Sequence, residues 1–323
     1  MEELQSALKN WVPEKILIDD RELIFKCLCC SDLPFTEPFF DDTLRKFRTL
    51  DLNRKQYKCF VGAEMINEWA GNIDFVPPTA FIFHVSRCGS TLVSQSLGLN
   101  NEFISLSEVP VLDQILRLTV SNDEEVKGKA EQLFKSLVKI YGAQRTGVEN
   151  KLFIKTDCWH LMFYKQLRSL YPTTPFIIMY RQPAAVIESN KRSKGIQCIH
   201  SYVPPEIYGM EGKLKSDDLV PDNYFKIALE QFFRAIIEIA ANENQVLLLN
   251  YNEGIPALMS KIAGYTGLSF SGEFESKILK RSAYHAKNPD EEFVEQNTAA
   301  KFSDITVLEE LYNSIENIRL KSR

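Results

Sequence analysis

The chain has 323 residues, 45% of them hydrophobic and 25% charged, and a formal net charge of −5. This is the composition of an ordinary globular protein with a large core, and it lacks the basic surplus that broad nucleic-acid binding needs. No run of about 18 apolar residues occurs, which argues against a membrane span.

The opening Met-Glu-Glu-Leu-Gln-Ser lacks the basic and apolar regions of a signal peptide, so a cytoplasmic protein is expected. Residues 1–77 mix helical stretches (4–11 and 41–48) with strand-like ones (23–30 and 57–63). They read as a small N-terminal α+β extension or lobe. Seven cysteines, most of them in or beside apolar runs, read as reduced thiols. Cys27, Cys29 and Cys30 have no partner pair at zinc spacing, and no metal is expected.

Pro77-Pro78 breaks the chain, and residues 78–323 read as the core. Short apolar strands are predicted at 81–85, 103–106, 152–155, 176–180 and 245–250. Helices are predicted at 92–99, 111–120, 124–141 and 224–241. Near-continuous apolar strands alternating with helical patterns predict a three-layer α/β/α fold around a central parallel sheet. Ligands in such sheets bind beyond the carboxyl ends of the strands. Arg87, Asp157 and Arg181 each follow a predicted strand and are expected to converge there. Residues 190–223 carry aromatic residues, prolines and glycines with little regular pattern, and are read as a lid.

The most informative stretch is 81–97. An apolar strand enters the polar loop Ser86-Arg87-Cys88-Gly89-Ser90-Thr91, and an amphipathic run follows at once. A helix N-terminus offers unpaired N–H groups and partial positive charge to an anion. Gly89 lets the backbone approach closely, Ser90 and Thr91 add hydroxyl donors, and Arg87 adds a planar fork suited to phosphate or sulfate. The loop is not a Walker A motif, since no Gly-Lys-[Ser/Thr] is present. A second strand, 176–180, ends in Arg181, and a helical run begins after Pro183.

These two segments together resemble the superfamily of sulfotransferases that use 3′-phosphoadenosine 5′-phosphosulfate (PAPS), bacterial members included, which have a P-loop-like core. The resemblance implies that the loop Arg87, Cys88, Gly89, Ser90 and Thr91 holds the 5′-phosphosulfate. It implies that Arg181 and Ser189, eight residues on, hold the 3′-phosphate. Lys155-Thr156-Asp157 is similar to a Lys-Thr-His or Lys-Thr-Asp segment of the family, and residues 247–253, with Tyr251, to a strand that ends in a Tyr-Glu-Asp-type turn. Residues 282–289, with His285 and Lys287, are similar to a C-terminal cofactor segment. The cytosolic branch usually has Lys where Arg87 stands and ends in a Lys-Gly-x-x-Gly-type loop, which is absent here.

The expected reaction is transfer of a sulfuryl group to a hydroxyl or amine of a small-molecule or peptide acceptor, with neither nucleic acid nor membrane as partner. Catalysis would rest on positioning and on charge stabilisation at the leaving phosphate, from Arg87, the loop amides and Lys155. A general base must take the acceptor's proton. The resemblance implies two competitors for that role: Glu108, 21 residues after Arg87, is similar in position to the catalytic Glu of the protein-tyrosine branch, and Asp157 stands where the cytosolic branch has its catalytic His; Glu108 is preferred, with Asp157 orienting the acceptor. His84 reads as a core residue, His160 as a lesser base candidate, and Trp159 and Tyr180 as core aromatics. The alternatives are a nucleotide or small-molecule kinase, weakened by the missing Gly-Lys-[Ser/Thr], and a non-catalytic nucleotide-binding module with the same fold.

Overall fold

A computed structural model describes residues 8–19, 22–54, 58–284 and 305–321. The N-terminal part builds an antiparallel sheet in the order β1 (Trp11–Asp19), β2 (Glu22–Cys29) and β3 (Cys59–Gly62). Between β2 and β3 lie α1 (Phe40–Phe47) and the short α2 (Asp51–Arg54); α3 (Ala63–Gly71) follows β3. Strand β1 differs from the sequence expectation, which placed a helix over 4–11: residues 4–7 lie outside the described residues, and Trp11 opens a strand. Pro13 obscured it, since proline in a sheet is confined to edges and bulges. β1 is an edge strand, and its register with β2 shifts between Pro13 and Lys15. The buried Tyr141 hydroxyl donates to the Pro13 carbonyl at 2.6 Å, tying this edge to the rest of the chain.

The second sheet has five strands, β4 (Pro78–His84), β5 (Phe103–Ser107), β6 (Lys151–Lys155), β7 (Phe176–Tyr180) and β8 (Val246–Asn250). Their order is β5-β6-β4-β7-β8, and every pairing is parallel. The strands read as nearly unbroken apolar runs because both faces are covered, and Phe81, Ile82, Phe83, Phe176, Ile177 and Ile178 are fully buried. The flanking helices are α4 (Ser90–Leu97), α5 (Pro110–Leu118), α6 (Glu124–Tyr141), α7 (Tyr164–Leu170), α8 (Pro183–Arg192), α9 (Pro221–Asn242), α10 (Ile255–Thr266), α11 (Gly272–Ser282) and α12 (Thr306–Lys321). This is the α/β class expected, and α6 has the predicted bounds. Asp123 caps α6 by accepting from the amides of Glu125 and Val126.

From β4 the chain crosses to β5 on one side, returns through β6, and then places β7 on β4's other side. Such a reversal opens a crevice at the carboxyl end of the central strand. The segments that follow the strands meet there, those after β4, β6 and β7 among them.

A cavity where three strands end

A cavity of about 410 Å³ occupies that crevice. Its wall includes Ser86, Arg87, Gly89, Ser90 and Thr91 after β4, Glu108 after β5, Asp157 after β6, Arg181 after β7, and Ser189 from α8. Residues far apart in sequence are therefore brought together as the strand-end argument predicted. Tyr251 lines the same cavity, whereas Cys88 is fully buried and donates to the Met179 carbonyl at 3.4 Å. Lys155 is 1% exposed and reaches the site through Glu108. His285 and Lys287 lie outside the described residues.

The first loop is strained where it meets the cavity. Ser86 and Arg87 have φ of 67° and 51°, and Glu108 has 56°. Left-handed backbone at a residue other than glycine is unfavourable and persists only when the surroundings hold it. His84 supplies one such restraint. Its Nδ1 accepts the Ser86 amide at 3.0 Å, so the ring's proton sits on Nε2, 3.0 Å from the Thr156 carbonyl and 3.3 Å from Glu108. Burial, then the Lys155 charge, pushes its pKa down, which keeps the ring neutral. Sequence reading placed His84 in the core; it is buried but also lines the cavity and fixes two of its walls.

Gly89 is the residue that makes the loop possible. At φ 79° it precedes α4, and no side chain caps that helix, so its first-turn amides face the crevice without a capping partner. A Cβ at Gly89 would stand 2.5 and 2.6 Å from the Tyr251 ring. Gly89→Ala is therefore expected to destabilise the protein by about 1–3 kcal/mol and to lower the thermal midpoint by several degrees in a melting experiment. A wild-type midpoint would show that the loop relaxes without strain.

Tyr251 also positions Arg181, whose guanidinium lies 4.4 Å from the ring centroid. The segment after α8 carries short 3-10 turns at Ile196–Cys198, Pro205–Tyr208 and Ser216–Leu219, and its first part borders the cavity. Arg87 donates to the Ser193 carbonyl, and Gln197 Nε2 donates to Ser86 Oγ at 3.0 Å. Gly195, Ile196, Gln197 and Tyr202 line the cavity from this segment.

The remaining wall carries carboxyl groups. Lys155 makes an ion pair with Glu108 and stands 3.4 Å from Ser107 Oγ. Burial alone would raise the Glu108 pKa, but the Lys155 charge and the hydrogen bond from His84 bring it to about 2. Asp113, on α5, accepts from Trp159 Nε1 at 2.7 Å, His160 Nε2 at 2.8 Å and Arg117 Nε at 3.0 Å. These donors overcome burial and hold it at about 2 as well. Asp157 goes the other way: burial, then the Glu108 and Asp113 charges, push its carboxyl well above the ordinary range. Ligating atoms of Asp113, Asp157 and His160 lie within 4.8 Å of one another. The His160 ring is already committed, with Nδ1 accepting the Asp157 amide at 3.3 Å and Nε2 donating to Asp113, so neither ring nitrogen is left to ligate a metal ion. His160 thereby acts on Asp113 and not on the cavity. Trp159 is buried as expected but also borders the cavity, and the Tyr180 hydroxyl donates to Glu316. Sequence reading did not single out Asp113; its only signal was one acid on the otherwise apolar buried face of α5.

No protein-family model and no curated protein matches the chain. Among the solved structures similar to it are three sulfotransferases. A sulfotransferase from Mycobacterium tuberculosis shares 11% identity over 67% of this chain and 76% of that one, with a TM-score of 0.42. The sulfotransferase domain from the curacin biosynthetic pathway shares 14% over 77% and 98%, with a TM-score of 0.44. A sulfotransferase from Alicyclobacillus acidocaldarius shares 15% over 76% and 95%, with a TM-score of 0.40. No helix among the described residues is long and apolar enough to cross a membrane.

Proposed function

We propose that this protein is a PAPS-dependent sulfotransferase acting on a hydroxyl or amine of a small-molecule or peptide acceptor. One observation carries the reading: a single cavity is lined by two sets of anion-binding groups, from the β4 loop and from β7 and α8, and by Glu108, which the buried Lys155 backs from behind. The first set is the strained loop with Arg87, Ser90 and Thr91 at the start of α4; the second is Arg181 with Ser189. A donor carrying phosphate groups at both the 5′ and 3′ positions of its ribose has this two-point character. The fit is supported within the chain by the uncapped α4 N-terminus, and the Tyr251 ring packed against Gly89 holds that loop in place.

The loop Arg87, Cys88, Gly89, Ser90 and Thr91 would hold the 5′ end, and Arg181, Ser189 and Tyr251 the 3′ end. His285 and Lys287 keep the same assignment from sequence alone. When bound, the donor supplies an activated sulfuryl group with a phosphate as its leaving group. Arg87, Lys155 and the α4 amides stabilise negative charge gathering on that phosphate. Glu108 takes the acceptor's proton. At rest Lys155 holds Glu108 ionised but weakly basic. A phosphate at the loop competes for the same ammonium, so Glu108 regains basicity once the donor is in place. Asp157 orients the acceptor. Residues 190–223 act as the lid, hinged on the contacts of Arg87 with Ser193 and Ser86 with Gln197. All seven cysteines are free thiols, which suits the cytoplasm.

Calorimetric titration of adenosine 3′,5′-bisphosphate, with AMP as control, tests the reading. The bisphosphate should bind the wild type at least about tenfold more tightly than AMP, and Arg181→Ala should weaken it by about 10–100-fold, the loss of a charge-assisted hydrogen-bonded contact. Equal affinity for both nucleotides would overturn the donor assignment and favour a kinase or a binding module.

A further inference from the structure

Resting on the sulfotransferase reading, we propose that the acceptor is cationic: a hydroxyl compound that also carries a protonated amine, with Asp157 as the carboxylate its ammonium meets. The argument is one of charge accounting along the acceptor wall. Asp41, Glu108, Asp113 and Asp157 all line this cavity. Glu108 is answered by Lys155. Asp113 is answered by Arg117, whose Nε lies 3.0 Å from both carboxylate oxygens, and by the ring of His160. Asp157 is 7% exposed, borders the cavity, and has no Lys or Arg within ion-pair distance among the described residues. The nearest basic atom is His160 Nε2 at 3.8 Å, and its proton is directed to Asp113.

A buried carboxyl without a cation is unfavourable to ionise, and the Glu108 and Asp113 charges make it more so. A ligand ammonium supplies the missing partner. A neutral acceptor leaves the Asp157 carboxyl protonated and gains no ion pair from it, and an anionic one would meet the Glu108 and Asp113 charges. The carbon skeleton of such an acceptor has walls of its own in Phe39, Trp159 and Tyr202, the last two with ring centroids 6.0 Å apart. In the transfer the hydroxyl oxygen forms the new bond to sulfur and its proton passes to Glu108. The bond from sulfur to the donor's phosphate oxygen breaks, its electron pair leaving on adenosine 3′,5′-bisphosphate. The ammonium keeps its charge throughout and serves only to place the hydroxyl.

Binding of three matched phenols reads this directly: tyramine, para-ethylphenol and para-hydroxyphenylpropionate, each titrated against the full chain with and without adenosine 3′,5′-bisphosphate. The expected order is tyramine first, by at least about tenfold over para-ethylphenol, and the propionate last. Asp157→Asn should bring tyramine down to the affinity of para-ethylphenol. Tyr202→Ala should weaken both equally, because it removes a wall and not a charge. Bisphosphate binding by each variant reports that it has folded. No preference for the cation, or a preference that survives Asp157→Asn, overturns the proposal. The two readings fail separately. If the bisphosphate binds and the cation preference is missing, the acceptor inference alone is wrong. If the preference is present and the bisphosphate does not bind, the amine site stands and the donor assignment falls.

Discussion

Replacing Lys155 by Ala is expected to destabilise the protein by about 3–5 kcal/mol, as removal of one partner from a buried pair does. Its side chain has no exposed surface, and its ammonium is spent on Glu108, with Ser107 at 3.4 Å and the Phe39 ring centroid at 5.5 Å. Without it, Glu108 stays in a wall that already holds Asp113 and Asp157, with only the neutral His84 ring as partner. Removing both charges together is a different matter. Lys155→Met with Glu108→Gln keeps the volume and leaves no isolated ion, so most of the loss should be recovered, to within about 1–2 kcal/mol of wild type. Denaturant midpoints measure both. The pH dependence carries a second signature. Glu108 sits at about 2 in the folded chain against an ordinary 4.5, so its pairing contributes in full above the ordinary value and is lost as pH falls toward 2. The double variant should lack that part of the acid limb. A double variant as unstable as Lys155→Ala would mean that the loss does not come from leaving Glu108 as an isolated charge.

How much of this was legible beforehand follows from the physics of each part. The strand-loop-helix at 81–97 announced itself because one short segment holds the whole pattern: an apolar run, a glycine and hydroxyl groups before a helix. Arg87, Asp157 and Arg181 could be brought together in advance because parallel strands deliver their following residues to one edge. The partnership of Lys155 with Glu108 was not legible. The two are 47 residues apart, and only the pairing of Ser107 with Lys155 in adjacent strands sets them side by side. The opposite protonation tendencies of Glu108 and Asp157 were hidden for the same reason, since they depend on which carboxyl lies beside the ammonium. His84 was read by its strand neighbours, all apolar, and its ring's work on Ser86 and Glu108 appears only when the loop turns back over it. Strand β1 was lost to Pro13, a residue that argues against a central strand and is silent about an edge.

Glu108→Gln is expected to lower the rate of sulfuryl transfer by about 10²–10⁴-fold, the usual contribution of a general base, with little change in bisphosphate affinity. Asp157→Asn is expected to act chiefly on KM for a cationic acceptor. The difference follows from their surroundings. Glu108 is ionised at rest, contacts the ammonium that a donor phosphate would claim, and lines the cavity. Asp157 is pushed toward its protonated form by burial and by the neighbouring carboxylates, so without a cationic ligand it holds the proton a base must receive. Glutamine keeps the shape and hydrogen-bonding reach of Glu108 but cannot take a proton, which isolates that one function. Single-turnover rates and KM for both variants, on the best acceptor from a screen of hydroxyl and amine compounds, separate the roles. Thermal melts of the same samples identify any loss that is merely one of folding, a necessary control because Glu108→Gln leaves Lys155 buried without its partner. If Glu108→Gln retains the rate to within about fivefold while Asp157→Asn loses it at unchanged KM, the roles are reversed. Asp157 is then the base, and Glu108 serves to hold Lys155 ready for the phosphate.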